Sequence, residues 1–401
     1  MSDWKPHSGS RSLQSAPRGI PENLAKDVAP IPEGLMRGGH TFPGTALEIN
    51  GFTREKIVGG KKRLWDFVAA RLSETPTGQE TEGNETLKEV FSELESADDR
   101  SGLGVMAEYL IAFAENHGDE VAANLPDYAL KLVLNGRPGA AAALEACGRL
   151  GLSKSAPAFE AALKRSSGVS GSLVQQVAAQ RVRLLSIDEP DKRRDLGRLV
   201  RRWVDCWLRL AAEVPDPQRH TMLTAARDAI GSVAVMQGAS CLKWLVKLIR
   251  ESDYAEIVEA SAHAVCILAL KNEVPRTAVE FAKNASMLLA AIESRLKSGN
   301  FEGTIATKAF ARARLIEVAG VSGRWAPQEQ VARLLARWLP GASVTDRAAL
   351  LRAARHLIGG TSGSGADELE AALRKESGSQ AVADFLRMAL QGANDRSATQ
   401  R

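Results

Sequence analysis

The sequence predicts an all-α protein, a solenoid of stacked helical hairpins behind a disordered N-terminal leader. Three observations predict it. From about residue 102 onward, apolar residues recur at helical spacing in segment after segment, each closed by Gly, Pro or a polar breaker, and nothing alternates with period two. The phrase "LTAARDAIG" at 223–231 returns as "LRAARHLIG" at 351–359, with six of nine positions identical. Apolar residues make up 44% of the 401 residues but aromatics only 5%, with Ala abundant, so thin, closely packed helices are expected rather than a thick β core.

Taken in order, residues 1–60 are rich in Gly, Pro and Ser and read as a disordered leader. The first helix expected is "KKRLWDFVAARLSE" at 61–74, where Leu64, Trp65, Phe67, Val68 and Leu72 form an apolar stripe. It opens an N-terminal helical segment over 61–120. The polar run "TPTGQETEGNE" is expected as a linker, followed by an amphipathic helix carrying Leu87, Val90, Phe91 and Leu94. Residues 80–99 hold eight acids and one Lys, an acidic N-terminal surface. Next come "LGVMAEYLIAFAENHG", with Gly118 expected as its left-handed terminator, and "EVAANLPDYALKLVLNG", with Gly136 in that role. The solenoid is expected over 121–392, with breakers at 215–217, 251–253, 272–275, 298–300, 322–327, 339–343 and 359–365. Residues 393–401 read as a disordered tail.

Similar Ala-rich helical phrases begin at Leu144, Val177, Leu223, Val258, Phe310 and Leu351, at a mean step near 41 residues. A single hairpin cannot bury its own apolar face, so it must stack on the next, and small residues let inner helices approach. Ala225–Ala226 and Ala353–Ala354 supply that smallness, and Arg227 and Arg355 are placed to cap or bridge to a neighbour. In this spacing the region from about 120 to 392 resembles HEAT/armadillo-type helical repeat proteins, although the Pro and Asp/Arg signature of each repeat is missing. The alternative the same pattern allows is an irregular helical bundle. The unit "LLARWLPGASVTDRAALLRAARHL" resembles a tandem-repeat type III effector family of plant pathogens. In those units Trp-Pro precedes an Ala-rich helix; here Leu339 separates Trp338 from Pro340.

The residue inventory for chemistry is sparse. Cys147, Cys206, Cys241 and Cys266 form no CxxC pair and read as buried, reduced thiols. The six histidines show no metal-ligand spacing, and His263, in an apolar helix, is expected in the core or at an interface. No nucleophile elbow, phosphate loop or dinucleotide fingerprint occurs, so no catalytic, cofactor or metal residue is assigned. Helix 191–214 is the most charged: Leu196, Val200, Trp203, Trp207 and Leu210 share one face, and Arg194, Arg198, Arg201, Arg202 and Arg209 the other, with Asp205 among them. Some HEAT-like DNA glycosylases use Trp and Asp on a cationic surface, but here both Trp residues fall on the core face. Trp244 and Trp338, each beside Lys or Arg, complete the candidate partner-binding set.

The function expected is a non-enzymatic protein–protein interaction scaffold, with nucleic-acid binding through the basic face of 191–214 as the alternative. The net charge of +4 is too weak to demand nucleic acid. No uninterrupted apolar stretch of membrane-spanning length is seen and no secretory h-region, so the expected location is cytoplasmic. The polar leader resembles the uncleaved export signals of bacterial type III effectors, which implies a secretion-associated factor or an effector delivered into a host cell.

Overall fold

The computed structural model describes residues 80–96, 102–165, 172–216, 218–270, 279–358, 364–376, 384–385 and 388–389. The expected helix at 61–74, the leader and the tail lie outside the described residues. Those that are described are helical almost throughout, with no strand and one isolated bridge between Tyr254 and Glu302. The protein is all-α. It divides into two compact units at Ile187/Asp188.

The first unit contains α1 (Glu80–Ser96), α2 (Leu103–Asn116), α3 (Gly118–Leu134), α4 (Ala140–Arg149), α5 (Ala156–Lys164) and α6 (Leu173–Arg181). Helix α1 starts inside the run expected as a linker, because Glu is a good helix former and Gly83 alone costs only ~1 kcal/mol. The predicted apolar positions Leu87, Val90, Phe91 and Leu94 are all buried. α4 packs on α2 and on α6, while α3 packs on α1 and on α5, so alternate helices form two rows. In α4 every residue from Ala140 to Gly148 is buried, which only side chains this small permit between two neighbours.

The helix ends follow from local chemistry. Gly136 adopts φ 69°, its N–H donates to Val133 O (3.1 Å) and Arg137 N–H donates to Leu132 O (3.0 Å), the paired closure of a Schellman end. Gly118 does not play the part expected of it. His117, at φ −128°, ends α2, and Gly118 is the first residue of α3. A Ser172 cap with Gln175 opens α6 as a capping box.

The second unit contains α7 (Pro190–Glu213), α8 (Gln218–Gln237), α9 (Leu242–Glu251), α10 (Ala255–Leu270), α11 (Val279–Ser298), α12 (Ile305–Ser322), α13 (Gln328–Trp338), α14 (Val344–Ile358) and α15 (Ser364–Glu376). α7 lies antiparallel on α8: a Cβ on Gly197 would meet Met236 and Gln237, while Arg219 reaches Ala211 O. Beyond α7 the pattern is a row, α8–α10–α12–α14, each helix packed on the next. Members of the row run parallel, since Arg314 meets Glu259 and, ten residues on, Arg324 meets Ala269 O. Likewise Arg312 meets Asp346, and Gly320 meets Ala353. α9 and α11 pack together behind this row, as do α13 and α15.

All six Ala-rich phrases fall on α4, α6, α8, α10, α12 and α14. The paired alanines of the repeated phrase, Ala225–Ala226 and Ala353–Ala354, are at most 1% exposed. Residues 218–251 are long and apolar enough to cross a membrane by length and composition alone, but 61% of the most apolar window is buried inside the protein. A helix packed in a protein core passes the same test.

A second device ties neighbours together. The last carbonyls of a helix lack intrahelical partners, and arginines from elsewhere in the fold satisfy them. Arg165 donates to Val133 O at the end of α3, Arg219 to Ala211 O (3.1 Å) near the end of α7, and Arg324 to Ala269 O (2.6 Å) at the end of α10. Arg312 donates to Leu296 O of α11. Arg295 is the most enclosed, 8% exposed, donating to Ile249 O (2.9 Å) and Asn300 O (3.3 Å) with its guanidinium over the Phe301 ring. Burial pushes its pKa down, the largest influence on it. Replacing Arg295 by Met keeps the stem and strands two carbonyls, so urea unfolding is expected to show a loss of about 2 kcal/mol. A loss under ~0.5 kcal/mol, the scatter of neutral surface changes, contradicts the capping role.

Candidate functional site

Two surfaces of the second unit carry most of its organised charge. The first is the outer face of α7. Its buried stripe is Leu196, Val200, Val204, Trp207 and Ala211, with Trp207 fully enclosed and Trp203 half-buried against it at 5.7 Å between ring centres. The candidate arginines lie on the solvent side as expected, but carboxylates of the same helix accompany them. Arg194 pairs with Asp191, Arg198 with Asp195 (2.7 Å) and Arg201 with Asp205 (3.8 Å). Arg202 and Arg209 are exposed, the latter 4.0 Å from Cys206 Sγ. Seven cations against four carboxylates along α7 leave a surplus of three, a weak field for a polyanion.

Trp244 is not exposed. It is 4% accessible, its Nε1–H donates to Asp205 Oδ1 (2.9 Å), and Arg201 stacks over its ring at 5.4 Å. The structure thus brings Arg201, Asp205 and Trp244 together as a clamp between α7 and α9. Trp338 is half-buried at the end of α13, whose neighbours are α12, α14 and α15; next to it Arg337 reaches Glu293 of α11 (3.0 Å).

The second surface is the solvent side of the row α8–α10–α12–α14, and no motif announced it. On α10 it presents Glu256, Glu259 and His263; on α12 Phe310 and Arg314, with Glu317 mostly enclosed beneath them; on α14 Arg352, with His356 mostly enclosed beside Glu317; each set recurs at three- or four-residue spacing. Ion pairs cross every helix boundary. Arg227 of α8 approaches Glu256 (3.9 Å), Glu259 accepts from Arg314 (3.3 Å), Arg314 also donates to Glu317 (2.8 Å), and Glu317 meets Arg352 and His356 (3.7 Å each). The Glu317 carboxyl is held below its ordinary range, first by the His356 hydrogen bond and then by Arg314 and Arg352, against the opposing pull of burial. Burial raises Glu256, and Arg227 only partly offsets it. His263, expected in the core or at an interface, is not in the core but exposed on this surface, because α10 turns it outward one turn beyond Glu259. Phe310 is 66% exposed here, an unusual aromatic to leave in water.

Arg227 and Arg355, the matched arginines of the repeated phrase, both reach outside their helix. Arg227 bridges to α10, and Arg355 donates to Met388 O (3.2 Å).

Elsewhere, a cleft of about 440 Å³ between α1 and α3 is lined by Leu87, Phe91, Glu95, Tyr128 and Lys131 among others. Its polar groups are engaged with one another: the Tyr128 hydroxyl donates to Phe91 O, and Lys131 pairs with Glu95. Among the described residues no group of three or more His, Cys, Asp or Glu is placed to hold a metal ion. Cys147, Cys241 and Cys266 are buried thiols pushed up to about 12 by desolvation, hence poor nucleophiles; Cys206 is half-buried.

Comparison with known proteins finds no family model and no curated protein that this chain matches.

Proposed function

We propose that the protein is a non-enzymatic interaction scaffold, a helical-repeat solenoid of HEAT/armadillo-like build whose working surface is the outward side of α8, α10, α12 and α14. The observation that carries this reading is the charged line from Arg227 to His356. Four parallel helices, packed through alanine and glycine, present half-buried Arg–Glu pairs flanked by exposed Phe310 and His263. Such a surface offers fixed donors and acceptors plus one apolar anchor, the elements with which helical arrays hold a segment of another protein.

The test is site-specific photo-crosslinking in the cells that make the protein. A photoreactive residue at His263 or Phe310 is expected to capture one defined partner, whereas the same residue at Lys247, on the exposed side of α9, is not. Capture at Lys247 alone overturns the assignment of the face. A second reading, nucleic-acid binding through α7, rests on exposed Arg202 and Arg209. It requires that Arg198→Glu with Arg202→Glu abolish a steeply salt-dependent affinity for oligonucleotides. On the leading reading that double substitution leaves the His263 crosslink unchanged.

A further inference from the structure

We infer that the outer side of the second row of helices, α7, α9, α11 and α13, is a docking surface for an anionic lipid bilayer. Each of these helices packs on the helix that follows it, and so on the row α8, α10, α12 and α14. They also follow one another. Asp205 of α7 accepts from Trp244 of α9 (2.9 Å), α9 packs on α11, and Glu293 of α11 accepts from Arg337 of α13 (3.0 Å).

α7 alone presents a weak field, but its neighbours carry the same sign. Apart from Glu251, every exposed residue of α9 is a cation: Lys243, Lys247 and Arg250. α11 adds Lys297 against Glu293, and α13 adds Arg333 and Arg337 against Glu329. Arg295 is enclosed and adds nothing outside. Among the described side chains of the four helices, thirteen such cations stand against seven carboxylates, a surplus of six. Two of the carboxylates are each shared by two cations, Glu251 by Lys247 and Arg250, and Glu293 by Lys297 and Arg337. Arg202, Arg209 and Lys243 pair with no carboxylate among the described residues. The surplus ends at α15, where Asp367, Glu368 and Glu370 outnumber Arg374.

This charge is spread over an area rather than along a line. α7 has 24 residues, a length of ~36 Å, and four neighbouring helices at ~10 Å spacing span about 30 Å across. A bilayer offers a plane of mobile anionic headgroups that gather under such an area, and each Lys or Arg near it adds to the attraction. A nucleic-acid strand is held along one line and by stacking of its bases on exposed rings. No described aromatic of these helices is fully exposed: Trp207 and Trp244 are buried, Trp203 and Trp338 half-buried. What α11 exposes between the cations of α9 and α13 is Met287, with Ser286, Ala290 and Ser294, an uncharged strip suited to headgroup depth. Docked this way, the protein leaves the surface of α8, α10, α12 and α14 open to a protein partner.

The experiment sediments the full chain with vesicles of phosphatidylcholine, alone or with 30% phosphatidylserine, at 50 and 300 mM salt. Wild type is expected to bind the anionic vesicles at least about tenfold more tightly than the neutral ones, and to lose that preference at 300 mM salt. Lys243→Gln/Lys247→Gln/Arg250→Gln, all at exposed positions, halves the surplus. It is expected to bind the anionic vesicles about tenfold more weakly with an unchanged melting curve. His263→Ala, on α10, is expected to bind as wild type does. Equal binding of wild type to both vesicles, or equal binding of the triple variant and wild type to the anionic ones, overturns the proposal and leaves the crosslinking result standing. Tighter binding of a twelve-nucleotide single strand than of the anionic vesicles, at equal phosphate concentration, overturns the choice of partner.

Discussion

Replacing Gly320 by Val is expected to cost the second unit about 3 kcal/mol or more, enough to unfold a marginal domain. The reason is a contact between backbones. A Cβ on Gly320 would lie 2.6 Å from the Ala353 carbonyl carbon and closer still to its oxygen. No side chain is there to rotate away. α14 cannot retreat without uncovering Ala353, Ala354 and Leu357, all 1% exposed or less. α12 cannot retreat the other way, because α10 is already packed against its opposite side. Gly320→Ala meets the same atoms with one carbon and is expected to fall partway. Gly118→Ala is the matched comparison: nothing lies within 4 Å of its Cβ position, so it is expected to be neutral or slightly stabilising. Urea unfolding followed by tryptophan fluorescence reads the two Gly320 variants, since the second unit holds Trp203, Trp207, Trp244, Trp325 and Trp338, and the same titration followed by far-ultraviolet circular dichroism reads Gly118→Ala. A Gly320→Val protein within ~1 kcal/mol of wild type contradicts the close backbone packing on which the row depends.

That contact explains how much of the fold was legible. Ala225–Ala226 and Ala353–Ala354 announced helices that approach closely, and the helices bearing the repeated phrase do belong to one row. Helix ends were legible where chemistry is local: Gly136 closes α3 with positive φ because the next two amides can fold back onto the helix. Gly118 was misleading because His117, with φ −128° and ψ 41°, leaves the helical region without a positive φ and breaks α2, leaving the glycine free to begin α3. Of the charged surface, only Arg227, the arginine of the repeated phrase, was legible as a bridge to a neighbour. The pairs of that surface join residues 29, 55 and 35 positions apart, as in Arg227–Glu256, Glu259–Arg314 and Glu317–Arg352. Periodicity gives the face a residue occupies on its own helix, but not the register between helices, and ion pairing depends on that register. The arginines of α7 show the complement. Their face was readable from spacing alone, as were the carboxylates three or four residues away that blunt them. What periodicity could not show was that Trp244, from α9, folds over Arg201 and Asp205.

The strongest pH response is expected in the first unit, from Glu145. Its side chain is fully enclosed in α4, with Oε2 accepting from Arg181 Nε of α6 (2.7 Å) and Oε1 without a hydrogen-bond partner. Desolvation raises its pKa to about 7, more than Arg181 and Arg149 can reverse. In the unfolded chain the group titrates near its ordinary value of 4.5. The folded state therefore holds its proton to higher pH than the unfolded state does. Stability from this group is complete below about pH 4.5, declines as pH rises and is lost once pH passes about 7, for a total near 3 kcal/mol. Amide-exchange protection of α4 and α6, corrected for intrinsic rates, is expected to fall between pH 5 and pH 7.5 by roughly a hundredfold, since each 1.4 kcal/mol is tenfold. Glu145→Gln keeps the shape, carries no charge, and is expected to flatten the profile. At pH 5 the enclosed Glu145 of wild type is itself protonated and uncharged, so the protection of Glu145→Gln there is expected close to that of wild type. An unchanged slope in Glu145→Gln would show that the response comes from another group and that the enclosed carboxyl is ionised throughout.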